Sequence, residues 1–206
     1  MNIVRFELTM WILAFLLLSP SFLNAGDASK QLGATIDGFV PIISKTPRAE
    51  LQAKGLPESA RKLIVARFDF SDMTQRSLGR HWKSLNGRDQ KQFVDAFTQW
   101  QLISFGQIVR SYRGDKVEFI REVQNGKDVS VETKLVARYS GGDLPIHYWL
   151  HNVNGQWKVF NMVIDDIDIV KNVNAQFERV VAKSSLQELL QRVKDQDPRS
   201  RTLSLG

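Results

Sequence analysis

Apolar residues near the start of the chain recur at helical spacing. From Leu32 to Ile43 they follow an i, i+4, i+7 pattern that Pro41 interrupts. The pattern predicts a helix that kinks or restarts at this proline, because proline removes one backbone hydrogen bond and clashes with the preceding turn. Pro57 then opens a short helix through Ala66, since proline suits a first helical turn.

The next two predicted helices carry most of the large apolar side chains. Ser71 is the predicted N-cap of the first, on which Leu78 and Trp82 lie four residues apart and share a face. Asn86 is the predicted cap of the second, a long helix that extends to Tyr112. Its apolar arc is too wide for one buried side. The helix is therefore buried on most of its circumference, or it borders something apolar that is not protein.

From Lys116 the apolar positions alternate, which is the period of a β-strand. Four strands are predicted over residues 116–123, 128–138, 144–153 and 156–164. The turns between them contain Asn125-Gly126, Gly141-Gly142 and Asn154-Gly155. Strands joined in this way form an antiparallel meander, which twists as sheets do.

Helical spacing returns after Asp168, from Val170 through Phe177 to Val181. Ser185 and Glu188 form a capping box for a last helix. The order of helices, four strands and helices predicts the α+β class, with N-terminal and C-terminal helices packed on the sheet.

The acidic cluster Asp165, Asp166 and Asp168 has two interpretations. Three carboxylates in four residues are able to hold a divalent cation, but no ligand spacing accompanies them elsewhere in the chain. Carboxylates in the first turn of a helix are also stabilised by its unpaired N–H groups. The second interpretation is favoured, so all three are expected at the helix start and no metal is expected.

The N-terminal residues have the order of a secretory signal peptide. Arg5 precedes an apolar run over residues 8–18, and small residues around Ala25 follow. The run is shorter than the roughly 20 residues needed to span a bilayer. We expect cleavage after Ala25 or Ala28, a signal peptide over residues 1–25, and one domain over residues 26–206 whose tail from about residue 197 is loose.

The composition limits which binding partners and which catalytic functions are expected. The chain has no cysteine and a net charge of +6, so we expect a periplasmic protein, without disulfides, that meets anionic lipid surfaces or acidic partners rather than nucleic acid. The histidines His81, His147 and His151 are scattered. A hydrolase triad from Ser71 or Ser77, His81 and Asp69 is conceivable, but no Gly-x-Ser-x-Gly turn is present. No catalytic residue, metal site or cofactor is predicted.

Three segments resemble a known family. They contain Phe68-Asp69-Phe70, Met73, Leu78-Gly79 and Trp82; then Gln90, Phe93 and Ala96-Phe97; then Trp157 to Ile164, Ile167 to Val170 and Gln176-Phe177. Together these motifs resemble the MlaC and toluene-tolerance family of periplasmic phospholipid carriers, over most of the chain after the signal peptide.

The resemblance implies a monomeric carrier without enzymatic activity, whose sheet and helices enclose an apolar cavity for phospholipid tails. It also implies service to an inner-membrane ABC transporter complex and an outer-membrane lipoprotein complex, in the maintenance of outer-membrane lipid asymmetry, with transient membrane-surface contact. The lipid-binding residues expected from the periodicity are Leu78, Trp82, Phe97, Trp100, Phe105, Ile108, Tyr112, Tyr148, Phe160, Met162, Ile164, Val170 and Phe177.

Other functions stay open at this point. A carrier of hopanoid-associated or other hydrophobic ligands in the same family shares the expected cavity. A periplasmic interaction module without lipid has a filled core instead, and the large apolar side chains alone are compatible with such an ordinary core. A hydrolase is expected to lose ester turnover when Ser77 is replaced by alanine.

Overall fold

The computed structural model describes residues 26–109, 116–136 and 142–195. Within these ranges the chain forms helices α1 (Asp27–Lys45), α2 (Arg48–Lys54), α3 (Glu58–Arg67), α4 (Phe70–Leu78) and α5 (Gly87–Val109), strands β1 (Lys116–Asn125), β2 (Asp128–Val136), β3 (Leu144–Val153), β4 (Gln156–Ile164) and β5 (Ile167–Asp168), and helices α6 (Ile169–Val181) and α7 (Leu186–Lys194). A 3₁₀ helix, Gly79–Ser84, joins α4 to α5. The predicted signal peptide, Tyr112 and the tail from residue 197 lie outside the described residues.

The sheet is an antiparallel meander in the order β1-β2-β3-β4-β5, which confirms the α+β prediction. The four long strands agree with the predicted ones, and the sheet has in addition the two-residue strand β5. Asn154 and Gly155 both have positive φ, 52° and 84°. This is the left-handed pair that a tight hairpin turn requires, and asparagine and glycine adopt it at low cost.

The acidic cluster divides between a turn and a helix cap. Asp165 and Asp166 have φ of 48° and 62° and form the tight turn between β4 and β5, so the prediction that they lie in the first turn of the helix is wrong. Asp168 does cap α6, since its Oδ1 accepts the Lys171 N–H at 2.9 Å. The short strand β5 separates the turn from the helix, and an alternating pattern of two residues is too short to recognise from sequence.

The structure also specifies two details of the N-terminal helices. Helix α1 continues through Pro41, which excludes the restart, one of the two predicted alternatives. The cap of α4 is Asp69, whose Oδ1 accepts the Asp72 N–H at 2.9 Å, and Ser71 lies inside the helix. Because α4 ends at Leu78, Trp82 belongs to the 3₁₀ segment and the two side chains do not share one helical face.

Two other caps follow the predicted chemistry. The Asn86 Oδ1 accepts the Asp89 N–H at 2.9 Å at the start of α5. The Ser185 Oγ accepts the Glu188 N–H at 3.1 Å at the start of α7. Helix α2 was not predicted, because its seven residues contain too few apolar positions to show a period.

The apolar side chains form two separate cores. The larger core lies among the helices and contains Phe93 and Phe97 of α5 with Phe177 of α6, all almost completely buried. The smaller core lies between α1 and the sheet and contains Leu32. The rings of Phe68 and Phe105, 5.3 Å apart, pack against both cores and join them.

The segment between α3 and α4 runs along the free edge of β4. Phe68 forms a parallel bridge with Val159, and the Asp69 N–H donates to the Val159 carbonyl at 2.8 Å. In the opposite direction, the Lys158 ammonium donates to the Ala66 carbonyl at 2.6 Å. The first bond satisfies a carbonyl that an edge strand otherwise leaves unpaired, and the second satisfies a carbonyl near the end of α3. They also fix Arg67 between the sheet and α1.

Among the helices of the described ranges, none combines the length and the apolar character needed to cross a membrane.

Replacing Asp168 with alanine is expected to lower the free energy of unfolding by about 1 kcal/mol, because α6 loses its cap. The carboxylate also accepts the Asn161 side-chain N–H at 3.0 Å, so the junction between β4 and α6 loosens as well. Asp168→Asn keeps a capping oxygen and is expected to cost less. Urea denaturation followed by circular dichroism measures both losses.

The control is Asp165→Asn in the adjacent turn, where asparagine tolerates positive φ and the change is expected to stay within about 0.5 kcal/mol. An Asp168→Ala variant as stable as the wild type contradicts the assigned cap. Stabilisation of the wild type by Ca²⁺ or Mg²⁺ contradicts a purely structural cluster.

Candidate functional site: an apolar cavity between α1 and the sheet

An open cavity of about 250 Å³ lies beside the smaller core. Its walls are α1, the end of α3, the last turns of α5 and the inner face of the sheet. The apolar lining residues are Leu32, Ile36, Phe39, Val40, Ile64, Phe68, Phe105, Ile108, Val109, Val117, Leu135, Leu144, Ile146, Met162 and Ile164. The polar side chains among the described lining residues are Thr35, Arg67 and Tyr148.

Strand alternation aims the sheet residues at the cavity. On β3, Ile146 and Tyr148 face inward together with Leu150, which is fully buried in the smaller core. The intervening His147 lies on the opposite face, where it pairs in register with Glu132 of β2. Strand β3 and the end of β4 therefore contribute every second side chain to the wall, whereas β1 and β2 contribute one lining residue each.

A β-bulge changes this alternation in β4. The register between β3 and β4 shifts between Trp149 and Leu150, so β4 contains one extra residue there. Val159 and Met162 both pack in the inner core, while Phe160 turns to the other side. Its ring lies 4.2 Å from the Arg76 guanidinium. Phe160 is buried, but it does not line the cavity.

The sequence-predicted residues fall into separate places. Those that line the cavity are Phe105, Ile108, Tyr148, Met162 and Ile164. Those that pack in the larger helical core instead are Leu78, Trp82, Phe97, Trp100, Val170 and Phe177. Tyr112 lies outside the described residues, and Phe160 lies across the sheet.

Aromatic packing explains why the second group is away from the cavity. The Phe97 ring lies 5.7 Å from Trp100 and 6.5 Å from Phe177, and the Trp100 and Phe177 rings are 6.1 Å apart. These three residues fill the space between α5 and α6, so they close a core. Large aromatic residues at helical spacing give the same sequence pattern whether they close a core or line a cavity.

Helix α1 forms a large part of the cavity wall, but none of its residues was among the predicted lipid-binding residues. The stripe from Leu32 through Ile36 to Val40 was recognised as helical, but not as part of a site. Gly33 of this helix faces the Phe119 ring of β1, and a Cβ at that position makes an ordinary van der Waals contact at 3.6 Å. This apolar stripe was the sequence feature from which the wall could have been predicted. Only the fold shows that the cavity lies against it.

Arg67 is the charged group of the lining. Its Nε donates to the Thr35 Oγ1 at 2.9 Å, and its Nη1 donates to the Gln31 Oε1 at 3.1 Å and to the Trp157 carbonyl. Burial lowers the pKa of this guanidinium from its ordinary value. Arg67 still remains a cation at neutral pH, because arginine is effectively always protonated in proteins.

Tyr148 is the polar group in the middle of the apolar wall. Burial raises the pKa of its phenol to about 12, while a hydrogen bond with Thr133 acts in the opposite direction. The side chain keeps some accessible surface, which we ascribe to the cavity it lines. The hydroxyl is therefore neutral and held against β2, and the ring presents an apolar face to the hollow.

Polar clusters elsewhere have structural partners. The His151 Nε2 lies 3.0 Å from the Asp69 Oδ2, and the His81 Nε2 lies 3.1 Å from the Glu178 Oε1. The imidazole and the carboxylate of the hypothetical triad, His81 and Asp69, thus have other neighbours. In the part of the chain that the structure describes, no group of three or more histidine, aspartate or glutamate side chains is arranged to hold a metal.

Comparison with known proteins adds the family. A solved phospholipid-binding protein from Ralstonia solanacearum, in complex with a phospholipid, has a similar fold with a TM-score of 0.70. The two sequences are 20% identical, and the match covers 82% of this chain and 95% of that chain. No curated protein matches the sequence. The family model described as "MlaC protein" matches residues 35–195, which is well over half of the chain, and the protein therefore belongs to the MlaC family.

Proposed function

We propose that the protein is a periplasmic phospholipid-binding shuttle that carries lipid between an outer-membrane lipoprotein complex and an inner-membrane ABC transporter complex, and so maintains outer-membrane lipid asymmetry. The observation that carries this proposal is the apolar cavity between α1 and the sheet, which is left open although apolar side chains surround it. Membership of the MlaC family supports the lipid class and the periplasmic location. The similar fold of a protein solved with a phospholipid supports the lipid class as well.

The physical need for such a carrier is large. Two acyl chains contain on the order of 30 methylene groups, and exposing each to water costs about 0.8 kcal/mol. Free passage across an aqueous compartment therefore costs roughly 20 kcal/mol or more. A hollow lined by aliphatic and aromatic side chains removes most of this cost, and the carrier itself needs no nucleotide.

The size of the hollow suggests how it is loaded. Its volume of about 250 Å³ is below the usual range of about 300–1,000 Å³ for ligand sites. A lipid with two full tails therefore requires the walls to move apart. The first part of α1, through Leu32 and Ile36, packs in the smaller core, while Ile43 near its end packs in the larger one. Separation of this first part from the sheet therefore disturbs less apolar packing than a movement among the other helices.

The charge of the protein favours the proposed encounters. With a net charge of +6 the protein is attracted to anionic lipid surfaces and acidic partners, and this attraction weakens as salt increases. We infer that it meets the two membrane complexes transiently and as a monomer, and that the direction of transfer depends on the partners.

Lipid content tests the proposal. Native mass spectrometry and lipid extraction of protein purified from the periplasm are expected to find bound phospholipid. Ile146→Trp places an indole in the hollow and is expected to lower the bound lipid roughly tenfold or more, because overpacking at this position competes with the tails. Protein that is free of lipid in every preparation contradicts the proposed function and favours an interaction module.

The matched control is His147→Trp, the next residue on β3, whose side chain lies on the opposite face of the sheet. This variant is expected to keep its lipid. Circular dichroism and thermal melting verify that both variants are folded. Equal loss of lipid from the two variants indicates a general effect of the added indole and contradicts the assigned cavity.

The signal-peptide proposal leads to a specific N-terminus. Helix α1 begins at Asp27, Ala28 is fully buried, and the Ser29 N–H donates to the Glu122 carboxylate at 2.8 Å. Cleavage after Ala25 preserves these contacts, whereas cleavage after Ala28 removes the start of the helix. Intact-mass measurement of periplasmic protein is expected to give Gly26 as the first residue, and Ser29 as the first residue contradicts this expectation.

Tyr148 reports on the cavity. Its pKa of about 12 lies above the ordinary value of 10, so the phenol stabilises the folded state below pH 10 and this contribution declines as the pH rises towards 12. The total is about 2–3 kcal/mol. The difference between the absorbance titrations of the wild type and of Tyr148→Phe is expected to have a midpoint of about 12. A midpoint near 10 in folded protein contradicts the buried environment.

A further inference from the structure

The cation of Arg67 lies at one end of the apolar cavity. Its guanidinium donates to the carbonyl of Trp157, near the β3–β4 hairpin. Ile164, at the other end of β4, lines the far part of the cavity with Leu144. Ile164 follows Trp157 by seven positions, which corresponds to roughly 20 Å of strand. The cavity is therefore polar at one end and apolar along most of its length.

Three neutral acceptors fix the orientation of the guanidinium. Thr35 binds Nε, while Gln31 and the Trp157 carbonyl bind Nη1. The Gln31 Oε1 is itself held by the Trp157 N–H at 3.0 Å. Nη2 makes no hydrogen bond within residues 26–109, 116–136 and 142–195. Two N–H donors of a preorganised, cavity-lining cation therefore have no partner in the described part of the protein.

No carboxylate balances this charge in the described ranges. Arg67 forms no ion pair there, although many surface cations do, for example Arg76 with Asp72 at 2.8 Å. Burial alone accounts for the lowered pKa of Arg67. Arg67 is partly buried, and even partial removal of a cation from water without a counter-ion has a cost that proteins usually offset with a partner.

A purely structural role explains only part of this arrangement. Arg67 fastens the edge of β4 to α1 through Trp157, Gln31 and Thr35. All three acceptors are neutral, so a neutral donor is sufficient for that fastening and the positive charge is not required. The two free N–H groups on Nη2 of this guanidinium are, in contrast, well suited to donate charge-assisted hydrogen bonds to the oxygens of a carboxylate or phosphate.

We propose that Arg67 binds the acid group of an amphiphile, a carboxylate or a phosphate, whose hydrocarbon tail lies in the cavity. The inference rests on the proposed function and adds the class and orientation of the ligand: the acid group lies beside Trp157, and the tail extends past Tyr148 towards Ile164. The apolar residues provide most of the affinity. Arg67 provides the preference for an anionic headgroup.

The test uses delipidated protein and ligands that share one tail: hexadecanoate, hexadecyl phosphate and neutral hexadecanol. Their dissociation constants are measured by displacement of a fluorescent fatty-acid analogue. The wild type is expected to bind at least one of the two acids roughly 10- to 100-fold more tightly than the alcohol, the usual size of hydrogen bonds to a charged group. The stronger of the two acids identifies the preferred headgroup chemistry.

Two variants assign this preference to Arg67. Arg67→Gln is expected to abolish the difference in affinity between the acids and hexadecanol, compared within the same variant. The matched control is Lys62→Gln, which removes an exposed positive charge from the same helix and is expected to keep the preference. If Arg67→Gln does not fold, equal binding of the acids and hexadecanol by the wild type still overturns the inference.

Each other result has a distinct meaning. Equal binding of the acids and hexadecanol by the wild type overturns the inference and leaves the lipid carrier in place. A preference that persists in folded Arg67→Gln overturns it too. Inorganic phosphate that binds as tightly as hexadecyl phosphate indicates a simple ion site, which also overturns it. Failure of all three tailed ligands to bind overturns the proposed function together with this inference.

Discussion

The structure depends on how its apolar surface is divided between two cores. The helical core is sealed by aromatic contacts among Phe97, Trp100 and Phe177, which join α5 to α6. The inner face of the sheet is then left to α1, which is too narrow to cover a twisted meander by itself. A hollow is the geometric result, and Phe68 and Phe105 form its base by packing against both cores. Close packing on one side of these rings permits open space on the other.

The sequence predicts the framework well because its signals are local. The Asn154-Gly155 turn and the alternation along β3 and β4 place these strands correctly, and the Asn86 and Ser185 side chains cap the helices they precede. Sequence signals become weaker where contacts with residues distant in sequence determine the local structure. Asp165 and Asp166 are acidic, as a helix start favours, yet the short pairing of β4 with β5 places them in a turn.

The cavity itself is harder to predict, for two physical reasons. A helical stripe such as Leu32, Ile36 and Val40 records which side is apolar, but not whether another side chain fills the space against it. Phe160 shows the second reason: one inserted residue reverses the inward and outward pattern of a strand, and nothing in the local sequence marks the position of the bulge. Phe105 and Ile164 both line the cavity, and they lie near the end of a predicted helix and at the end of a predicted strand.

The covering of β4 has a consequence for behaviour at high concentration. With residues 66–69 along one part of this strand and β5 along another, intermolecular strand pairing is blocked there. In the described sheet this leaves β1 as the long open border, and it is interrupted by a bulge between Phe119 and Arg121 and carries charged side chains. Both features discourage edge-to-edge association. A protein with an exposed hollow thus avoids fibrillar assembly at the borders of its sheet, and it keeps its apolar surface where a small ligand fits and another strand does not.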